Sequence, residues 1–262
     1  MTDPIASLKT KRILVALDTS ACGQAALQAA VLLATSIRAE LEGVFVEDED
    51  LVRLAGLPFA REIDVSSASA RPLRVADMER ELRAVSEKTE KAFARALQQL
   101  DLAWKFRTIR GAILRASLDA AGDADMLVIG QHGRSFRGMA AEYLAQKTAR
   151  RDRVVAVFDG SNSAYHAIEL GDTLARANSS ILHVLVISSD GEEDARKCAS
   201  WLQQHAIHAQ LDRSLSATGD ALIQYVKQFT PGVLLINRDS ACLNESDVCE
   251  IINQFDCPLI LC

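Results

Sequence analysis

The amino-acid sequence predicts an α/β protein made of two tandem, open, parallel-sheet domains. Three observations carry this. An apolar, β-rich run is followed at once by polar capping residues and an amphipathic helix. Strand and helix patterns then alternate along the chain, and the opening pattern returns after a constant shift.

The first run, Arg12-Ile-Leu-Val-Ala-Leu17, has the unbroken apolar character of a strand buried on both faces of a parallel sheet. Asp18-Thr-Ser20 can cap the next segment, where Ala26, Leu27, Ala30, Leu33, Ala34 and Ile37 recur at helical spacing. A second strand over 41–46 completes a βαβ unit. Between 47 and 100 lie an acidic stretch, Glu47-Asp-Glu-Asp50, read as a solvated loop, an irregular segment, and a long amphipathic helix carrying Met78, Leu82, Val85, Phe93 and Leu97. Beyond it come a strand over 105–109, a helix over 113–121, a strand over 126–129 and a helix over 140–149.

A shift of 141 residues carries Asp18 onto Asp159, Arg12 onto Arg153, Ser20 onto Ser161, Ala26 onto Ala167 and Leu33 onto Leu174. Identities at strand, cap and helix together indicate a duplication. The later strands, 126–129 and 233–236, are related by a shift of only 107, because the second copy lacks most of the insert. The division is therefore 1–150, with a helical insert at 47–100, and a shorter second domain over 151–262. The run 154–158 is assigned to the second copy. This leaves the first copy four strands and an open edge, which a neighbour must cover. The expected cover is the strand at 258–261 or the run 154–158, giving an intramolecular pseudo-dimer. A homodimer is a further expectation.

A net charge of −6 and a pI near 5.4 argue against a nucleic-acid partner, since that affinity comes from Lys and Arg on phosphates. No apolar run approaches the roughly 18 residues of a membrane span, and the polar start does not read as a leader. The expectation is a cytoplasmic protein. Its six cysteines form no Cys-x-x-Cys pair and read as small hydrophobes rather than metal ligands.

The segment Ile129-Gly130-Gln131-His132-Gly133-Arg134-Ser135-Phe136-Arg137-Gly138 is the best candidate for a ligand site. Glycines there let backbone amides approach a phosphate. It is no Walker loop, because Met139-Ala140 stand where Lys and Ser or Thr would be. Asp18 and His132 offer neither an activated nucleophile nor a metal cluster, so no enzyme is expected.

The opening Arg-Ile-Leu-Val-Ala-Leu-Asp-Thr-Ser, the strand ending Val44-Phe-Val-Glu-Asp48, and Leu127-Val-Ile-Gly-Gln-His-Gly-Arg-Ser135 together resemble the universal stress protein domain in its tandem form. The resemblance implies Rossmann-like, adenine-nucleotide α-hydrolase-like sheets. It also implies a stress-response or signalling role, with ATP or AMP as the ligand. Asp18 and Val46 match the family's adenosine contacts, and Gly130 and Gly133 match the first half of its Gly-x2-Gly-x9-Gly-Ser/Thr loop. Gln131, Arg134 and Gly138 lie along the same loop.

The second half of that loop departs from the family. Its Gly-Ser would fall on Tyr143-Leu144 or, in a shortened loop, on Gly138-Met139, and either way a phosphate-contacting hydroxyl is lost. Such a bond is worth roughly 1.5–3 kcal/mol, so triphosphate affinity should fall by about one to two decades. The expectation is weak adenine-nucleotide binding in the first domain, or none. In the second copy Asn237 and Ser240 replace the glycines, which makes that domain degenerate. The alternative is an interaction module acting through dimerisation or partner contacts. An adenylating pyrophosphatase would want a Ser-Gly-Gly-x-Asp-Ser loop that Asp18-Thr-Ser-Ala-Cys-Gly23 does not supply.

Overall fold

The computed structural model describes residues 12–17, 21–63, 70–130, 153–214, 216–229, 231–240, 243–254 and 257–262. Strand β1 (Arg12–Leu17) is the predicted run, and its Ile13, Leu14, Val15 and Ala16 are completely buried. Such a strand needs helices on both sides. Helix α1 (Ala21–Ile37) covers one side and leads to β2 (Glu40–Asp48), parallel to β1, so the opening is a βαβ unit. The insert follows as α2 (Glu49–Ala55), an antiparallel hairpin of β3 (Arg61–Ile63) and β4 (Ala70–Pro72), and the long α3 (Val75–Leu97). Strand β5 (Trp104–Gly111), α4 (Ile113–Ala120) and β6 (Met126–Ile129) close the first set. The second set is β7 (Arg153–Phe158), α5 (Asn162–Ala177), β8 (Ile181–Val186), α6 (Gly191–Gln204) and β9 (Ala209–Arg213), then α7 (Gly219–Phe229), β10 (Val233–Ile236), α8 (Glu245–Gln254) and β11 (Leu259–Leu261). The helix expected over 140–149 lies outside the described residues.

Nine of these strands form one sheet in the order β5-β2-β1-β6-β11-β10-β7-β8-β9. All neighbours run parallel except β6 and β11, which are antiparallel. The shifts read from the sequence recur in the register. Ile13 faces Met126 across β1 and β6, while Val154, 141 positions on, faces Val233, 107 positions on, across β7 and β10. Strand β7 pairs with β8 and β10, so it serves the second set. The free side of β6 is paired by β11, with Leu259, Ile260 and Leu261 opposite Ile129, Val128 and Leu127. Because that seam is antiparallel, the carboxyl ends of β1, β2 and β6 lie on one rim of the sheet and those of β7, β8 and β10 on the other.

Helices sit on both faces, and the apolar core on each face crosses the seam. On one face Ile13, Val15, Leu33 and Phe93 are continuous with Ile260, Phe158 and Ile168. On the other, Leu14, Ala16 and Ile129 are continuous with Leu259, Leu222 and Ile251. The insert is pinned by Phe93 of α3, fully buried, with its ring 5.5 Å from Trp104 and 5.7 Å from Phe106. Gly43 of β2 makes room for it, since a Cβ there would lie 2.8 Å from Phe106 and 2.9 Å from Phe93.

The acidic stretch read as a solvated loop is ordered instead. Glu47, near the end of β2, forms a salt bridge to Arg110 of β5 (2.9 Å), and Asp48, the last residue of the strand, caps α2 by accepting from the Asp50 amide (2.9 Å). The segment read as irregular contains the β3–β4 hairpin, whose three-residue strands are too short to show a period. Burial pushes the thiols of Cys198 and Cys262 up to about 12, so neither is a thiolate near neutral pH. Among the described residues no helix is long and apolar enough to cross a membrane.

Candidate functional site

In the first half, β1 feeds α1 on one face and β2 on one side, while β6 arrives on its other side from α4 on the opposite face. Connections therefore diverge at the β1–β6 boundary, and the crevice beyond those strand ends is where open α/β sheets hold ligands. The register brings two of the predicted residues to those strand ends. Leu17 faces Phe45, which is followed by Val46, and Ala16 faces Ile129, which is followed by Gly130.

Val46 is 6% exposed, with its side chain in the apolar cluster shared by Ile129, Ile113 and Leu114. Gly130 is buried directly after β6. The other residues singled out, Asp18, Gln131, Gly133, Arg134 and Gly138, and with them His132, lie outside the described residues. Two of the predicted positions thus lie at strand ends on the same rim of the sheet.

At the other rim the corresponding positions are Asp159, Ile187 and Asn237, and their polar groups are engaged with one another. Asp159 Oδ1 accepts from the Ser161 amide (3.0 Å) and hydroxyl (2.6 Å). Ser161 Oγ caps α5 by accepting from the Ala164 amide (3.2 Å), and Asn237 Nδ2 donates to it at 3.2 Å. The Asn237 side-chain oxygen, Oδ1, in turn accepts from the Asp239 amide (3.2 Å). Ile187 is buried among β8 neighbours. Sequence reading saw the helix cap in Ser161 but not the bond from Asn237, since residues 76 apart carry no local signal.

Gly160 between them has φ +84, and a Cβ there would sit 2.6 Å from an Asp194 carboxylate oxygen. Only glycine occupies that backbone region without strain. Gly160→Ala is expected to cost about 1–3 kcal/mol, read as a lower urea midpoint. An unchanged midpoint would show that the turn and Asp194 relax freely.

Each half also buries one ionisable group at the same place in its second strand. Glu42 of β2, 4% exposed, accepts from Arg107 Nε (2.6 Å) and lies 3.6 Å from Arg12 Nε. Its counterpart His183 of β8 lies 3.4 Å from Asp212 Oδ2, to which the Tyr225 hydroxyl also donates (2.7 Å). Burial first, and then the bond to Asp212, push the Tyr225 phenol well up. Arg107 and Asp212 hold equivalent register positions, opposite Val44 and Leu185. These pairs sit mid-strand beside the outer strands, away from either crevice, so their geometry serves the sheet. Among the described residues no cluster of three His, Cys, Asp or Glu side chains could hold a metal ion.

No curated protein matches the chain. Among solved structures, a universal stress protein from Archaeoglobus fulgidus is similar, with TM-score 0.52 and 14% identity over 97% of this chain and 99% of that one. A putative universal stress protein from Pseudomonas aeruginosa gives TM-score 0.48 and 12% identity over 98% and 94%. One from Lactobacillus plantarum gives TM-score 0.35 and 21% identity over 52% and 91%. The first likeness supports the α/β fold. The universal stress protein family profile matches residues 9–149, which hold the insert, the β1–β6 crevice and the loop beyond it, and on that match the chain belongs to the universal stress protein family.

Proposed function

We propose that the protein is a tandem duplicate acting in the stress response by binding rather than turnover. In this reading an adenine nucleotide, ATP or AMP, is held by the first domain (1–150), and the second (151–262) is a scaffold. Family membership supports the stress-response role. The contrast between the two crevices carries the rest. In the first half a glycine follows β6, whereas in the second Asn237 takes that position and bonds to Ser161 across the strand ends. A ligand beside Gly130 meets no side chain from that position, and one at the second must displace three hydrogen bonds among Asp159, Ser161 and Asn237.

Val46 would meet adenosine through its backbone, because its side chain is committed to the core. The pairing of β6 with β11 supports an intramolecular pseudo-dimer, and a cytoplasmic location fits the same reading.

Calorimetry with ATP and AMP tests the assignment. Gly130→Val is expected to abolish binding, because a branched side chain would stand where the ligand approaches, and Asn237→Ala to leave it unchanged. Binding that survives Gly130→Val, or falls with Asn237→Ala, would move the ligand away from the first crevice.

A further inference from the structure

Among the described residues seven large hydrophobic side chains are exposed, and five of them, Leu54, Leu57, Phe59, Ile63 and Val75, fall within the insert. Phe59 is 75% exposed and Ile63 66%. Their backbone is one connected unit, since Leu57 bonds back to Leu54, Ala60 to Leu57, and Leu73 to Ala60. In the β3–β4 hairpin directly opposed residues share a face. Arg61 with Pro72 and Ile63 with Ala70 make one exposed face, while Glu62 and Arg71 are salt-bridged at 2.8 Å on the other. Five exposed large apolar side chains on one connected stretch of backbone point to an interaction site rather than to scattered ordinary surface.

The charges at its edge indicate what fits. Arg53, Arg71 and Arg80 are each matched by an acid of the insert. Arg61 and Arg74, which flank the apolar side chains, have no ion pair or side-chain hydrogen bond to any described residue. A second copy of the chain is a poor occupant. Antiparallel self-pairing of β3 centred on Glu62 would oppose Glu62 to itself, self-pairing of β4 would oppose Arg71 to itself, and Pro72 lacks an amide. Face-to-face stacking would bring the unmatched arginines together.

We propose that this arginine-edged apolar face docks an acidic amphipathic segment of another protein, with apolar side chains seated around Phe59 and Ile63 and carboxylates on Arg61 and Arg74. The shorter second half has no counterpart of the insert, so the surface belongs to the first half alone. Nothing in this depends on nucleotide binding.

The test is fluorescence anisotropy of full-length protein, without nucleotide, using a short fluorescein-labelled peptide in which Glu alternates with Phe and Leu. A peptide with Lys in place of Glu serves as control. Saturable binding of the Glu peptide alone is expected, weakened about tenfold or more by Phe59→Ser and by Arg61→Glu with Arg74→Glu. If Phe59→Ser does not fold, the arginine reversals decide, because those side chains make no ion pair or side-chain hydrogen bond to any described residue. Binding to neither peptide, equal binding of both, or affinity unmoved by the charge reversals would overturn the proposal. So would co-sedimentation with phosphatidylglycerol vesicles in place of peptide binding, or a dimer in sedimentation velocity that Phe59→Ser dissociates.

Discussion

Ile260→Pro is expected to leave no soluble folded protein in either half. Leu259, Ile260 and Leu261 are at most 3% exposed, and β11 is flanked by β10 on one side and β6 on the other. Proline in a central strand removes a ladder hydrogen bond and strands its partner, at about 1–3 kcal/mol. Losing the isoleucine side chain removes about 1.5–3 kcal/mol more, and the ring disturbs both registers. The sum, with the strain in both registers added, reaches the lower end of the stability of an ordinary domain, about 5–15 kcal/mol. Both apolar cores cross the seam, so the damage is shared. Ile260→Ala, at about 2–5 kcal/mol, is the milder version and should lower one cooperative transition. Solubility and amide exchange read the outcome. Soluble Ile260→Pro protein with β1 and β2 amides as protected as in the parent would show that the first half stands without its cover.

Phe93→Ala should cost about 3–5 kcal/mol and lower the melting temperature by roughly 10 °C at this chain length. The ring fills the space over Gly43 and packs edge-on against Trp104, so tryptophan emission should shift with it. Gly43→Ala alone should also destabilise, since its methyl group meets two aromatic rings. In the double variant Gly43→Ala with Phe93→Leu the smaller side chain frees that space. The combined loss is therefore expected to fall short of the sum by about 0.5–3 kcal/mol. Strict additivity would mean that the insert helix is not held by this contact.

Strands with continuous apolar runs were legible from sequence: β1, β6 and β10 carry the anticipated bounds, and the shifts of 141 and 107 reappear as facing residues. Counting strands exposed an open edge in the first copy, because an unpaired row of amides must go somewhere, and the register sets its cover, β11, beside β6. The direction of β11 was not legible, since an apolar pattern reads the same for parallel and antiparallel neighbours. Helix α2 was missed because its seven residues, after two acids, look like the solvated loop that Glu47-Asp-Glu-Asp50 suggests. At the candidate site Val46 was singled out through the family resemblance and Gly130 through that resemblance and the glycines after β6, and the register sets both at strand ends on one rim. The bond between Ser161 and Asn237 needed coordinates, because nothing local links the two.

The seam also sets an order of events during synthesis. Strand β6 is complete at Ile129, but the strand that closes its free side ends at Leu261. At about 5–20 residues per second, that partner follows on the order of ten seconds later. Throughout the interval the nascent first half presents four buried-type side chains, Met126 to Ile129, on an unpaired edge. A neighbouring chain's β11 could dock there first, so crowded translation favours exchanged pairs. The last strand to arrive is the clasp, and its delay is when the chain most needs a chaperone.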